Sequence, residues 1–185
     1  MRHHSLFTIE ALMQQYYPYV CRLAYSILGD PDDAEDAAQE TFIRAALHMD
    51  DFRGEADQRT WLYAIAVNVC RTELRKRKRR LALEAALTSL QSLFGMLSAE
   101  ETAIKEDARA NLIRAIDGLD EKHRIPLVLR YVEQMTAPQI AAVLNISEGT
   151  VHSRLHFARE KLARRLGTDL QTVPQAASVA RKVVE

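Results

Sequence analysis

Apolar residues recur at three- and four-residue spacing along most of the chain, and no run of alternating β-branched residues interrupts them. That periodicity predicts an all-α protein built from amphipathic helices. Four segments carry it most clearly. In "GDPDDAEDAAQETFIRAALHM", residues 29–49, Asp30 is placed to cap a helix with Pro31 at its first position and Asp32 and Asp33 at its positive end. Ala34, Ala38, Thr41, Phe42 and Ala45 fall on one stripe, the predicted buried face. In "RTWLYAIAVNVCRTELRKRKRR", residues 59–80, Thr60 is a plausible cap. Leu62, Ile65, Ala66 and Val69 form one apolar side, which Tyr63, Val67, Cys70 and Leu74 extend. Between about 81 and 99, Leu83, Leu87, Leu90, Phe94 and Leu97 repeat like a helical stripe that Gly95 weakens, so this connection has an apolar face to bury. After Gly167 the chain turns small and polar and reads as a frayed tail.

The fourth segment, "QIAAVLNISEGTVHSRLHFAREKLARRL", reads as two helices broken at Asn145 and Ile146. Thr136 caps the first, with Pro138 in its opening turn and Ile140, Val143 and Leu144 facing inward. Ser147 caps the second, whose core stripe is Val151, Leu155, Ala158 and Leu162. The opposite face holds Gly149, Ser153, His156 and Phe157, flanked by His152, Arg154, Arg159 and Lys161. A helix N-terminus with unpaired N–H groups favours a phosphate, and Gly149 and Ser153 leave room for a DNA backbone or base edge. The pattern is that of a helix-turn-helix whose second helix enters the major groove, with the cations on phosphates and Ser153, His156 and Phe157 near bases. An ordinary helical hairpin with a solvated basic face is the bland alternative.

Two further faces carry candidate chemistry. Opposite the buried stripe of residues 29–49 lie Asp32, Asp36, Gln39, Glu40, Ile43 and Leu47: large aliphatics one turn apart, rimmed by carboxylates, as in a protein-docking patch. A metal is the weaker use of those carboxylates, since no His or Cys joins them. On the basic helix a narrow arc of Trp61, Ala64, Asn68, Arg71, Thr72 and Arg75 forms one ridge. Asn pairs bidentately with adenine and Arg with guanine or phosphate, and aromatics beside cations suit unstacked bases. Trp61 and Tyr63 themselves are read as core. The six consecutive cations Arg75 to Arg80 are placed to end this helix and to contact nucleic acid. If about five of them meet phosphates, log affinity falls with log salt at a slope near −4 to −5.

Composition changes the picture in one respect. Of 185 residues 48% are hydrophobic and 27% charged, enough to build cores, and the net charge of zero conceals blocks. Residues 1–60 carry 5 basic and 11 acidic side chains, and residues 61–82 carry 7 and 1. Residues 83–121 carry 3 and 8, and residues 122–185 carry 10 and 5. Two polyanion-facing surfaces set among acidic ones account for that alternation. Cys21 and Cys70 lie in apolar patterns without metal-ligand spacing and read as small buried hydrophobes. No run approaches the roughly 18 apolar residues of a membrane span, so a cytoplasmic location is expected. No phosphate-cradling glycine loop, zinc spacing or nucleophile constellation supports catalysis, and no cofactor or metal is expected.

Taken together, "LGDPDDAEDAAQETFIRAA", "FRGEADQRTWLYAIAVNVCRTELRKRKR" and "LVLRYVEQMTAPQIAAVLNISEGTVHSRLHFAREKL" resemble the extracytoplasmic-function (ECF) sigma factors of the sigma-70 family, in order and in spacing. The resemblance implies a bacterial transcription initiation factor and not an enzyme. It implies two small helical domains joined by a linker, the second containing the helix-turn-helix: residues 1–80, a linker at 81–105, residues 106–167, and a tail at 168–185. It implies that Asp36, Gln39, Glu40, Ile43 and Leu47 bind the β′ clamp coiled coil of RNA polymerase core. Phe52, Arg53, Gly54, Glu55, Asn68, Arg71 and Arg75 would capture the promoter −10 element. Ser147, Thr150, His152, Ser153, Arg154, His156 and Arg159 would read the −35 element while the second domain rests on the β flap. An anti-sigma factor is a further implied partner. His152 stands where the family usually has Lys or Arg and Phe157 where Arg is common, "LDEKHR" at 119–124 lacks the usual Leu-Pro start, and the linker is unusually apolar. A helix-turn-helix regulator binding DNA without polymerase and a helical adaptor that binds no DNA are the rival readings.

Overall fold

The computed structural model describes residues 8–52, 54, 57–92 and 114–167, and all regular structure among them is helical. Helix α1 spans Ile9–Leu28, α2 Pro31–Leu47, α3 Gln58–Ser92, α4 Glu121–Tyr131, α5 Ala137–Leu144 and α6 Glu148–Leu166. A single 3₁₀ turn at Met49–Asp51 follows α2, and residues 114–117 are also helical.

The boundaries follow from local chemistry. Thr8 caps α1 by accepting from the Ala11 N–H at 3.2 Å. The helix stops at Gly29, whose left-handed φ of 77° lets its N–H return to the Tyr25 carbonyl at 2.8 Å. Asp30 follows at once and caps α2 through the N–H groups of Asp32 and Asp33, both at 3.0 Å. The tight Gly-Asp corner folds α2 back along α1. Ala34, Ala38, Thr41, Phe42 and Ala45 are buried, as the stripe predicts, Ala37 is buried beside them, and mostly alanine at this contact lets the two backbones approach closely.

Helix α3 departs from expectation at both ends. Its cap is Asp57, not Thr60: the Asp57 carboxylate accepts from the Thr60 N–H at 3.0 Å and from the Thr60 hydroxyl at 2.5 Å. An ionised carboxylate is the stronger acceptor and also complements the positive helix end. Nor do the six cations end the helix, which continues to Ser92. Arg, Lys, Leu, Ala and Glu are all good helix formers, so nothing after Arg80 breaks the backbone pattern. Leu81 and Leu83 on this extension are exposed. Phe94, Gly95 and Leu97 lie outside the described residues, as does the tail after Gly167.

Helices α5 and α6 form the predicted pair. Thr136 and Gln139 make a reciprocal capping box on α5, and Asn145 ends it with a left-handed φ of 52°. Ser147 caps α6, whose buried residues include Val151, Leu155, Ala158 and Leu162. One small cluster belongs to this half alone, with Ala115, Ile116, Leu119, Leu127, Ala158, Leu162 and Ala163. The larger core is continuous across both halves. It joins Leu23, Ile27, Phe42, Leu62 and Val69 of the first to Ile125, Val128, Leu129, Met135, Ile140 and Val143 of the second. Helix α5 lies against α3, and α4 against α1.

Candidate nucleic-acid and protein interfaces

The first surface is built on α2, whose alanine face against α1 turns the opposite side outward. Asp36 and Gln39 are exposed, Glu40 is half-exposed and bonds Arg44 at 2.6 Å, and Ile43 and Leu47 are 57% and 75% exposed. Uncovered aliphatics of that size next to carboxylates make a small hydrophobic centre with a polar rim. A groove of about 460 Å³ runs beside it, where α2 meets Val69, Glu73 and Lys76 of α3. The surface therefore extends onto α3, which the sequence reading of α2 alone did not include.

The second surface is the ridge on α3. Asn68 is exposed and its carbonyl accepts from the Thr72 hydroxyl at 3.0 Å, so Thr72 is turned along the helix and not toward a ligand. Arg75 projects outward, whereas Arg71 is largely covered because Glu121 of α4 reaches its Nε at 3.0 Å. Burial lowers the Arg71 pKa, and the Glu121 charge opposes that shift. Tyr63 is fully buried and Trp61 partly so, in agreement with their reading as core. Phe52 lies against Trp61 with ring centroids 5.2 Å apart. Gly54 has φ of 73° and open space around the position of a Cβ. Arg53 and Glu55 lie outside the described residues.

Beyond the ridge, Arg75, Lys76, Lys78, Arg79 and Arg80 are exposed, while the Arg77 guanidinium donates to the Leu28 carbonyl at 3.2 Å and helps tie α3 to the end of α1. The pairs Lys76–Glu73 and Arg80–Glu84 are surface contacts of little energetic weight. Replacing Lys78, Arg79 and Arg80 together by alanine is expected to make the slope of log affinity against log salt shallower by about 2 to 3. Titrating the protein on a fluorescent DNA fragment at several salt concentrations measures it.

The third surface is the N-terminal half of α6. The Ser147 Oγ accepts from the Thr150 N–H at 3.2 Å and lies 2.8 Å from the Thr150 hydroxyl, so both side chains are committed to the cap. Gly149 is exposed, and a Cβ there meets only Ser147 Oγ, at 4.0 Å. His152, Ser153 and His156 are exposed, and Ser153 Oγ donates to the Thr150 carbonyl at 3.0 Å. Phe157 is 51% exposed, set edge-on to His156 and His123. Arg154 is half-buried, and Arg159 is also half-buried, its Nε donating to the Leu155 carbonyl at 3.3 Å. Lys161 differs from expectation: its ammonium bonds Asp120 at 2.7 Å, which ties α6 to the start of α4 instead of reserving that charge for a phosphate. Burial, reinforced by Lys161 and Lys122, holds the His123 pKa below the usual imidazole value against the opposing pull of Asp120.

Two carboxylates escaped the sequence reading. Glu121 faces Arg71 across 50 positions of chain, and Glu133, in the turn after α4, is fully buried against α1 and α3. Local periodicity contains no signal for either. Cys70 is buried, as anticipated, and its thiol is pushed up to about 12, whereas Cys21 is only half-buried. Among the described residues there is no cluster of His, Cys, Asp or Glu able to hold a metal, and no helix long and apolar enough to cross a membrane.

Comparison with known proteins matches both halves in order. The family model for sigma-70 region 2 matches residues 12–80, and that for sigma-70 region 4 matches residues 109–162. The ECF RNA polymerase sigma factor SigW of Bacillus subtilis is 33% identical over 159 residues, covering 82% of this chain and 84% of that protein. The RNA polymerase sigma-H factor of Pseudomonas aeruginosa is 32% identical, covering 85% of each chain. Among solved structures, CnrH, in complex with the cytosolic domain of CnrY, superposes with a TM-score of 0.63 at 27% identity over 86% of this chain and 87% of that one. The Bartonella quintana sigma factor RpoE, in complex with the anti-sigma factor NepR, shares the fold with a TM-score of 0.65 over 86% of this chain and 97% of that one.

Proposed function

Because the chain belongs to the extracytoplasmic-function group of sigma-70 RNA polymerase sigma factors, we propose a division of labour among its three surfaces. A factor of this family confers promoter specificity on RNA polymerase, and the ordered presence of both sigma regions leaves no support for a helix-turn-helix regulator that works without it. Residues 1–80 form the polymerase-binding and −10-binding half, residues 106–167 the −35-binding half, residues 81–105 the linker and 168–185 the tail. Asp36, Gln39, Glu40, Ile43 and Leu47 clasp the β′ clamp coiled coil. The loop from Phe52 to Glu55, with Asn68, Arg71 and Arg75, captures the −10 element. The start of α6, from Ser147 and Thr150 through His152, Ser153, Arg154, His156 and Arg159, reads the −35 element while this half rests on the β flap.

The observation that carries the reading is the outward pair Ile43 and Leu47 on a carboxylate-rimmed helix, in one chain with an α6 whose N-terminal half turns Gly149, Ser153 and His156 to solvent. Among the described residues, Ile43 and Leu47 on the one face and Gly149, Ser153 and His156 on the other are left exposed. A single helix-turn-helix module buries only about 600–1,000 Å² on DNA, so two weak readers gain discrimination when one polymerase holds both. Sequestration by an anti-sigma factor would employ the same surfaces. The site of action is then cytoplasmic, and no catalytic role is assigned.

Run-off transcription with purified core polymerase on a panel of bacterial promoters tests the proposal. Promoter-specific transcripts that depend on added protein are expected, while the protein alone shifts the same fragments poorly in gels. Tight, specific duplex binding without core, and no transcripts with it, would overturn it.

A further inference from the structure

Among the described residues, Phe157 is the only large hydrophobic side chain of α6 that is exposed. It follows Ser153 by four positions and Gly149 by eight, so the three share one ridge, away from the buried Val151, Leu155 and Leu162. Small side chains in the first two turns of that ridge leave the phenyl ring to protrude in the third. Two imidazoles hold it. His156 is set edge-on with ring centroids 5.7 Å apart and planes at 63°, and His123 of α4 stands at 6.3 Å and 61°. Both separations lie within the range of favourable edge-to-face pairs, about 4.5–7 Å. His123 is only 7% exposed, so it is a fixed floor under the ring and not a second mobile group. Its Nδ1 lies 3.5 Å from the Asp120 carboxylate and 3.5 Å from the Lys161 ammonium. Lys161 in turn is bonded to Asp120 at 2.7 Å, so that cation is committed beside the ring and not over it.

We propose that Phe157 is a specificity-determining residue of the −35 interface that reads the 5-methyl group of a thymine, and that His123 is the positioning residue that aims it. The proposal rests on the assignment of α6 to the −35 element. A phenyl ring carries no donor or acceptor and gains nothing from a phosphate. In the major groove only base pairs containing thymine present an apolar group, the C5 methyl. Ring against methyl removes both from water. A ring free to swing would meet sugar, phosphate and methyl alike, whereas one braced by His123 meets a single place along the groove. This selectivity involves no charge and releases no counterion, so it is independent of salt, unlike the contacts of the α6 cations.

The test is run-off transcription by core polymerase loaded with the full-length protein, on a promoter that it transcribes. Each −35 thymine of either strand is replaced in turn by deoxyuridine, which removes only the methyl. One replacement is expected to lower transcription roughly fourfold, as burial of one methyl group implies, and by the same factor at low and moderate salt. Phe157→Ala is expected to bring that thymine-to-uracil ratio to about one, while scrambling the remaining −35 positions still abolishes activity. His123→Ala is expected to lower the ratio below about twofold, and His123→Phe, which keeps an aromatic edge at the same place, to restore it. A purely structural role for His123 would reduce transcription on both templates equally and leave the ratio intact. The absence of any uracil-sensitive position, or an unchanged ratio in Phe157→Ala, overturns the proposal. A Phe157→Ala protein that keeps the ratio but binds core polymerase more weakly overturns it in favour of a polymerase contact. Parent transcription that survives scrambling of the whole −35 element overturns the assignment of α6, and the proposal with it.

Discussion

Gly149→Glu is expected to leave the protein as stable as before, or slightly more so, and to lower transcription from a −35-dependent promoter by about a hundredfold. Both effects come from one position. Gly149 stands in the first turn of α6, exposed, with nothing near a Cβ but Ser147 Oγ at 4.0 Å. Removing a glycine from a helix recovers about 0.5–1 kcal/mol of backbone entropy, and a carboxylate near a helix N-terminus adds about 0.3–1 kcal/mol. The same carboxylate stands where the incoming phosphate would meet the helix end. Losing one charge-assisted contact costs about 1.5–3 kcal/mol, and like-charge repulsion adds to it, so roughly two powers of ten follow. Thermal unfolding and run-off transcription, measured side by side, check the opposite signs. A variant that melts early and loses activity together would show that Gly149 is needed for the fold and not for DNA.

The second large effect is expected on α2. Replacing Ile43 and Leu47 together by alanine should weaken binding to core polymerase by about a hundredfold while the melting temperature stays within a degree or two. Each side chain is more than half exposed, so its loss opens no cavity, and surface changes of this kind alter stability by only about 0.5 kcal/mol. Anchors that become buried in a partner contribute about 1.5–3 kcal/mol each when fully covered, and truncation to alanine removes the larger part. Fluorescence anisotropy of labelled protein titrated with core reads the affinity directly. An unchanged Kd would sink the docking role of this ridge.

What could be read beforehand was whatever depends on neighbours within a few positions. The faces of α2 and α6 follow from spacing alone, because Ala34, Ala38 and Phe42, or Val151, Leu155 and Leu162, fall on one side of a helix wherever it packs. The corner at Gly29–Asp30 was legible for the same reason. The end of α3 differs from expectation because six cations suggest a solvated stop, whereas each of them favours helix and the following Leu, Ala and Glu do too. Thr60 lost the cap to Asp57, three positions earlier, since a charged acceptor prevails over a hydroxyl. Lys161 lies among the phosphate-facing cations by spacing, and its partner Asp120 is 41 positions away, beyond the reach of local pattern. Glu133 was invisible for a deeper reason. In sequence it is a lone acid in "YVEQM", and only the return of the chain onto α1 and α3 surrounds it with Arg22, Arg59 and Tyr63.

The continuous core carries a cost for any extended shape of the molecule. Val132, Met135, Ile140 and Val143 are buried in the cluster that the two halves share. Parting the halves wets that surface, and a wetted apolar patch is a target for proteases, chaperones and self-association. A molecule of this design is safest folded onto itself or seated on a host that covers what it uncovers, so its lifetime in the cell should track how much host is vacant.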